Sequence, residues 1–106
     1  MHIIENNDLS VCGSCDAYFL LYFTASWCKP CQNIKPSIVD LDQKSDDQSL
    51  QVCMIDINEN DELSDHFEIE SVPTFITLKD NNMIKKASGA SLNVVINLLR
   101  ESFQND

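Results

Sequence analysis

Ala25-Ser26-Trp27-Cys28-Lys29-Pro30-Cys31 is the stretch whose reading decides the fold. Two cysteines stand three positions apart. Upstream runs Tyr18-Phe19-Leu20-Leu21-Tyr22-Phe23-Thr24, a continuous apolar run suited to a central strand buried on both faces. Downstream, Ile34, Ile38, Val39 and Leu41 recur at roughly helical spacing. The cysteine pair therefore falls at a strand-to-helix junction. Positions i and i+3 of a helix share a face, so a rotamer change brings two such cysteines to disulfide distance. The first of them sits at the helix N-terminus, where unpaired N–H groups and the helix dipole favour negative charge. The thiolate is the reactive form of cysteine. Such a junction is suited to making and breaking a disulfide repeatedly.

Working outward, the helix is expected from about Cys28 to Asp42. Pro30 is tolerated in its first turn, and Pro36 should kink it and release one hydrogen bond. His2 to Glu5 reads as a short first strand. Residues 6–17 read as a weak helix or an irregular loop, and they hold a second pair, Cys12-Gly13-Ser14-Cys15. After a polar loop from Lys44 to Ser49, Gln51 to Ile57 is rich in β-branched residues and reads as the third strand. Asn58 to Asp61 offers N-cap chemistry for a short helix anchored by Leu63 and Phe67. Thr74 to Leu78 and Met83 to Ser88 form a hairpin around Asp80-Asn81-Asn82. Lys85 and Lys86 suit an edge strand. Ser91 can cap a last helix whose Leu92, Val95, Ile96, Leu99 and Phe103 make an apolar core stripe. The order β, weak α, β, α, β, α, β, β, α describes an α/β sandwich with a mixed sheet between helices.

A chain of 106 residues is read as one domain. No apolar run reaches the ~18 residues of a membrane span, and no secretory signal is evident at Met1 to Asp8. An intracellular, reducing setting is the expectation, and there a Cys-x-x-Cys pair beside a βαβ pattern is redox-active rather than a structural staple. The net charge of −10 argues against nucleic acid or anionic membrane as partner. Eleven of the 17 acidic residues lie between Asp40 and Glu70, beside one basic residue, Lys44. That concentration is either a solvated face or a docking surface for a basic partner.

Trp27-Cys28-Lys29-Pro30-Cys31 resembles the active-site motif of the thioredoxin family, with Lys29 where most members carry glycine. Pro36 matches the proline that kinks the family's active-site helix. Val72-Pro73-Thr74 is similar to its cis-proline loop, and Gly89-Ala90 to its small-residue turn beyond the fifth strand. The resemblance spans nearly the whole chain and is poorest over residues 1–17. It implies the thioredoxin fold, a mixed central β-sheet flanked by helices, and a protein-disulfide reductase acting on disulfide-containing proteins. It also implies an NADPH-linked, flavin-dependent thioredoxin reductase as electron donor and a monomer in the cytoplasm. No dinucleotide-binding glycine pattern is present, and no bound cofactor or metal is expected.

Cys28, nearer the helix N-terminus, is expected to attack a target disulfide, and Cys31 to resolve the mixed disulfide. The charge of Lys29 should favour the thiolate of Cys28, though exposed charges are well screened. The family implies a target-binding surface from Trp27, Val72, Pro73 and Thr74, with Gly89 beside it. Two positions depart from the family. Tyr22 stands where many members bury an aspartate that helps deprotonate the second cysteine, and Met54 stands where a lysine commonly accompanies it. Tyrosine is mostly neutral near pH 7 and is a poor substitute base, so resolution is expected to suffer. Cys53 is expected to pack as a small hydrophobe.

Two other readings compete. Cys12, Cys15, Cys28 and Cys31 are spaced as C-x2-C-x12-C-x2-C, close to a zinc ribbon. Against zinc, the second pair opens a helix directly after a buried strand, and the chain has an adequate core without metal. The other reading is a thioredoxin-like adaptor whose main task is holding a partner. The changes at Tyr22 and Met54 keep it open.

Overall fold

The computed structural model describes residues 1–10, 18–44, 50–80 and 82–103. Its elements are β1 (His2–Ile4), β2 (Tyr18–Thr24), α1 (Lys29–Lys44), β3 (Leu50–Asp56), α2 (Asp61–His66), β4 (Thr74–Lys79), β5 (Asn82–Ser88) and α3 (Leu92–Phe103). The strands lie in the order β1-β3-β2-β4-β5. β1, β3 and β2 run parallel, while β4 and β5 are antiparallel to their neighbours, so the sheet is mixed as expected. The expected weak helix and the Cys12/Cys15 pair fall mostly or wholly on residues 11–17, outside the described residues.

β2 lies centrally and its residues alternate between two cores. Phe19, Leu21 and Phe23 meet Cys53, Ile55, Ile76 and Leu78 on the face covered by α2 through Leu63. Leu20 and Tyr22 meet Val52 and Phe75 on the other face, under Ile34 and Ile38 of α1 and Val95 and Leu98 of α3. Burial on both faces is why the strand reads as one apolar run rather than an alternating one. Cys53 belongs to the α2-side core, as a small hydrophobe would.

α1 continues through Pro36 to Lys44, two residues beyond the expected end. Pro36 has no N–H, so the Gln32 carbonyl loses its helical donor. Across the hairpin Lys79 pairs with Asn82, and Asp80 holds a φ of +54°. Lys85 reaches Glu101 of α3 at 2.6 Å. Lys86 donates to the carbonyls of Phe67 and Glu68 beyond α2 at 3.0 and 2.9 Å. The two edge lysines thus bind opposite layers.

Two expectations need correction. The stripe on α3 holds in part: Val95 is buried with Leu98, Leu99 packs against the same core and Phe103 meets Tyr18, whereas Leu92 and Ile96 are 40% and 37% exposed. Six apolar residues between Leu92 and Leu99 spread around a wide arc, and only the sheet beneath selects the phase. The cap of α2 is not local either. Asn60 occupies the N-cap but makes no capping bond with its side chain. That side chain is fully buried and donates instead to the carbonyls of Ile4 and Asp56, while accepting from Asn7 N. The orphan N–H of Leu63 is satisfied by Oδ1 of Asn7 at 3.0 Å. The cap comes from the turn after β1, and Asn6 and Asn7 both hold positive φ to present it.

Candidate active site

β2 ends at Thr24, and the chain turns through Ser26 and Trp27. The Cys28 N–H donates to the Ala25 carbonyl at 3.1 Å, and the Gln32 side-chain amide donates to the same carbonyl at 2.9 Å. α1 then begins at Lys29, one residue later than expected, which leaves Cys28 immediately before the helix. Its carbonyl accepts the first helical bond, from Gln32 N at 3.1 Å. The helix N-terminus thus lies at Cys28, as the sequence suggested.

Both cysteines are free thiols. Cys28 is 6% exposed and Cys31 is fully buried, so Cys28 is the outer member but is itself largely covered. Cys31 N–H points at the Cys28 sulfur at 3.3 Å. On the opposite side the Cys28 thiol faces the Val72 carbonyl at 3.7 Å. Ala25, Ile57 and Val72 enclose the pair in a small apolar cluster.

Burial above all, and then the hydrogen bond with Cys28, push the Cys31 thiol up to about 11. The Thr24 hydroxyl and the Ala25 backbone act in the opposite direction. At neutral pH Cys31 is therefore a protonated thiol that must lose its proton before it can attack.

The bond between Val72 and Pro73 is cis. Pro73 is buried and Val72 half-buried beside Cys28. Gly89 is adjacent, its N–H donating to the Pro73 carbonyl at 3.2 Å. Its φ of +126° is a conformation that side chains rarely adopt. Trp27 is 66% exposed at the rim, and Lys29 and Pro30 are also exposed. Thr74 turns inward. Its hydroxyl donates to the Ser71 carbonyl at 2.6 Å and pairs with Ser88 at 3.1 Å, which fixes the loop from behind.

Tyr22 lies beneath the helix, stacked on Phe75 with ring centroids 5.4 Å apart. Its hydroxyl donates to the Cys31 carbonyl at 2.6 Å. Burial raises its pKa, with the Thr24 hydroxyl opposing and charge on Cys31 and Cys28 adding to the rise. Met54 pairs with Tyr22 across the sheet. The residues brought together are thus Trp27 at the exposed rim, Val72 and Gly89 beside it, Cys28, Cys31 and Pro73 buried just beneath, and Tyr22 below them.

Sequence reasoning missed Thr24 and Gln32. Thr24 was legible in principle, because it follows Tyr22 by two in a strand and must share its face. Among the described residues no group of three potential metal ligands converges. Cys12 and Cys15 of the zinc alternative lie outside them.

The Thioredoxin family model matches residues 6–101. The chain belongs to the thioredoxin family. The thioredoxin of Bacillus subtilis (strain 168) is 33% identical over 90 residues, 84% of this chain and 86% of that protein. Thioredoxin f2 of Chlamydomonas reinhardtii superposes with a TM-score of 0.87 at 21% identity, covering 100% of this chain and 99% of that one. A structure of ferredoxin:thioredoxin reductase in complex with thioredoxin f2 contains a chain that superposes at 0.83 and 26% identity, covering 94% and 92%. The fold expected from the sequence is thus the thioredoxin fold. As a thioredoxin-family member the chain is a thiol–disulfide oxidoreductase of the protein-disulfide reductase type.

Proposed function

We propose that Cys28 is the attacking nucleophile and Cys31 the resolving thiol of this reductase. The observation that carries the assignment is the asymmetry of the pair: Cys28 alone keeps any exposure, and its sulfur faces the Val72 carbonyl. The Cys28 thiolate attacks one sulfur of a target disulfide, forming a mixed disulfide and releasing the other target thiolate. Cys31, after losing its proton, attacks the Cys28 sulfur. The target's remaining sulfur leaves with the electron pair and takes up a proton, and Cys28–Cys31 becomes the disulfide. The target gains two electrons and the pair loses two.

The exposed ring of Trp27 and the backbone at Val72 form the target-binding surface, and Gly89 with the hydroxyl of Thr74 holds the Pro73 loop in place. Lys29 is exposed next to Cys28. An NADPH-linked thioredoxin reductase re-reduces the pair, and the chain works as a cytoplasmic monomer. Among the described residues no helix is long and apolar enough to cross a membrane.

Reduction of a model disulfide protein by NADPH, with and without thioredoxin reductase, tests the reading. Turnover that needs both the reductase and this chain is expected, and Cys28→Ser should abolish it. Cys31→Ser should accumulate mixed disulfides on non-reducing gels. Trapping through Cys31 in Cys28→Ser would reverse the assignment. If a Cys28→Ser/Cys31→Ser double variant keeps its partners while wild type shows no turnover, the adaptor reading replaces it.

A further inference from the structure

The oxygen of the Thr24 hydroxyl is fully buried and has no hydrogen-bond partner, the one such side-chain atom among the described residues. An orphaned buried hydroxyl carries a cost, and its retention calls for an explanation. Its neighbours suggest one. In the sheet register, Tyr22 lies opposite Met54 and Thr24 lies opposite Asp56. Side chains two apart on a strand share a face, so these four side chains form a square under the first turns of α1. The family's acid and its companion belong to the Tyr22/Met54 corner, which here has neither. The next corner toward the cysteines holds a hydroxyl and a carboxylate.

Thr24 also lines a cleft of about 220 Å³ with Ser26, Gln32, Lys35, Met54 and Asp56. That volume exceeds the ~30 Å³ share of one water several times over, and the walls are polar enough to hold one. Thr24 thus borders the cleft while its hydroxyl oxygen is closed off from solvent. Its hydroxyl eases ionisation of both the Cys31 thiol and the Tyr22 phenol, although it lacks the alignment of a formed hydrogen bond. One Asp56 oxygen accepts from Asn58 N at 2.8 Å, which fixes the carboxylate at the end of β3. The titratable groups around the path are Cys28 just before α1, Cys31 and Lys35 from α1, Tyr22 from β2 and Asp56 from β3.

We propose that Thr24 and Asp56 carry the proton away from Cys31 in the resolving step, in place of the carboxylate absent at Tyr22. This rests on the assignment of Cys31 as the resolving thiol. The Cys31 S–H gives its proton to the Thr24 hydroxyl, and rotation about the Thr24 Cα–Cβ bond turns that oxygen into the cleft, where it passes its own proton through water to the Asp56 carboxylate. The thiolate then forms the bond to the Cys28 sulfur as the bond from Cys28 to the target breaks. The target thiolate leaves with that electron pair and is protonated from solvent. Asp56 returns its proton to solvent through the cleft, which Lys35 also lines.

The test is quench-flow with a model disulfide peptide, reading by mass spectrometry the formation and decay of the mixed disulfide at Cys28 across pH. Asp56→Asn keeps an acceptor for Asn58 N and removes the base. Decay near pH 7 should slow by roughly a hundredfold, the low end of general-base contributions. It should recover as pH approaches the direct ionisation of Cys31. Thr24→Val should slow decay similarly, and Thr24→Ser should retain most of the rate. If the pH profiles of Asp56→Asn and of the folded Thr24 variants superimpose on wild type, the proposal is wrong. Formation of the mixed disulfide precedes this step and is the internal reference: if wild type forms none, the reductase assignment has failed instead.

Discussion

Tyr22 and Cys31 are joined through the backbone, phenol to carbonyl at 2.6 Å, and not through the sulfur. The hydroxyl therefore pins the first turn of α1 to the middle of β2. It is a positioning group, and its proton is committed to a carbonyl. A phenol whose pKa is raised by burial is a still weaker base candidate at neutral pH.

Tyr22→Phe should then cost stability and leave the chemistry in place. Loss of one buried donor to a carbonyl is worth about 1–2 kcal/mol, read as a shift in the urea midpoint at unchanged slope. The pH profile of mixed-disulfide decay should keep its shape. A changed inflection would mean that the phenol takes part in proton transfer.

Restoring the acid is the complementary change. Tyr22→Asp puts a carboxyl below Cys31 and should speed resolution near pH 7. It also empties the space against Phe75 and buries an unpartnered acid, so stability should fall by several kcal/mol. Met54 is the cross-strand neighbour, and Met54→Lys in the same chain should recover part of that loss. If urea unfolding shows the double variant no more stable than Tyr22→Asp, the two positions are not coupled.

Much of this was legible because the decisive residues are adjacent in sequence. The run Tyr18–Thr24, the cysteine pair and the helical spacing after it specify a strand, a turn and a helix with little help from elsewhere. What was not legible depends on distant partners. The Leu63 N–H finds its cap 56 residues away at Asn7, and no local pattern signals that. The buried phase of α3 is chosen by the sheet. The Thr24/Asp56 pairing needs the register of β2 on β3, which an apolar parallel pair does not announce in its sequence.

Gly89→Ala should destabilise through conformation alone. The added Cβ would meet Val94 Cγ2 at 3.5 Å, an ordinary contact, but φ is +126°. A non-glycine residue held there costs about 1–3 kcal/mol. Because Gly89 N–H holds the Pro73 carbonyl, turnover with a protein disulfide should fall more than reaction with a small disulfide. Equal loss toward both substrates would show that the loop is not part of the target surface.

Asn60→Ala should be among the costliest polar truncations in the chain. It strands the Ile4 and Asp56 carbonyls and the Asn7 N–H together. With about 1 kcal/mol or more per stranded buried group, roughly 2–4 kcal/mol is expected from urea unfolding. Asn60→Asp keeps the acceptor but sets a buried carboxyl oxygen against the two carbonyls, so it should cost at least as much. A loss below about 1 kcal/mol would mean that water replaces the knot.

The raised pKa of Cys31 gives stability a specific pH dependence. Burial holds the folded thiol near 11 against an ordinary value of 9.0. The folded form thus keeps a proton that the unfolded chain gives up. Below pH 9 both states are protonated, and the contribution to stability is full and constant. Between 9 and 11 the unfolded chain ionises first, so raising pH favours unfolding, at most by about 1.4 kcal/mol per pH unit for one proton. Above 11 both are ionised and the contribution is gone. Cys31→Ser removes this group and leaves Tyr22, whose raised pKa acts in the same direction in both proteins. The difference in urea unfolding free energy between reduced wild type and Cys31→Ser should therefore be flat up to about pH 9 and then shift steadily against wild type. Flatness through pH 11 would mean that Cys31 ionises as easily in the folded protein as in the unfolded chain, and resolution would then need no assisting base.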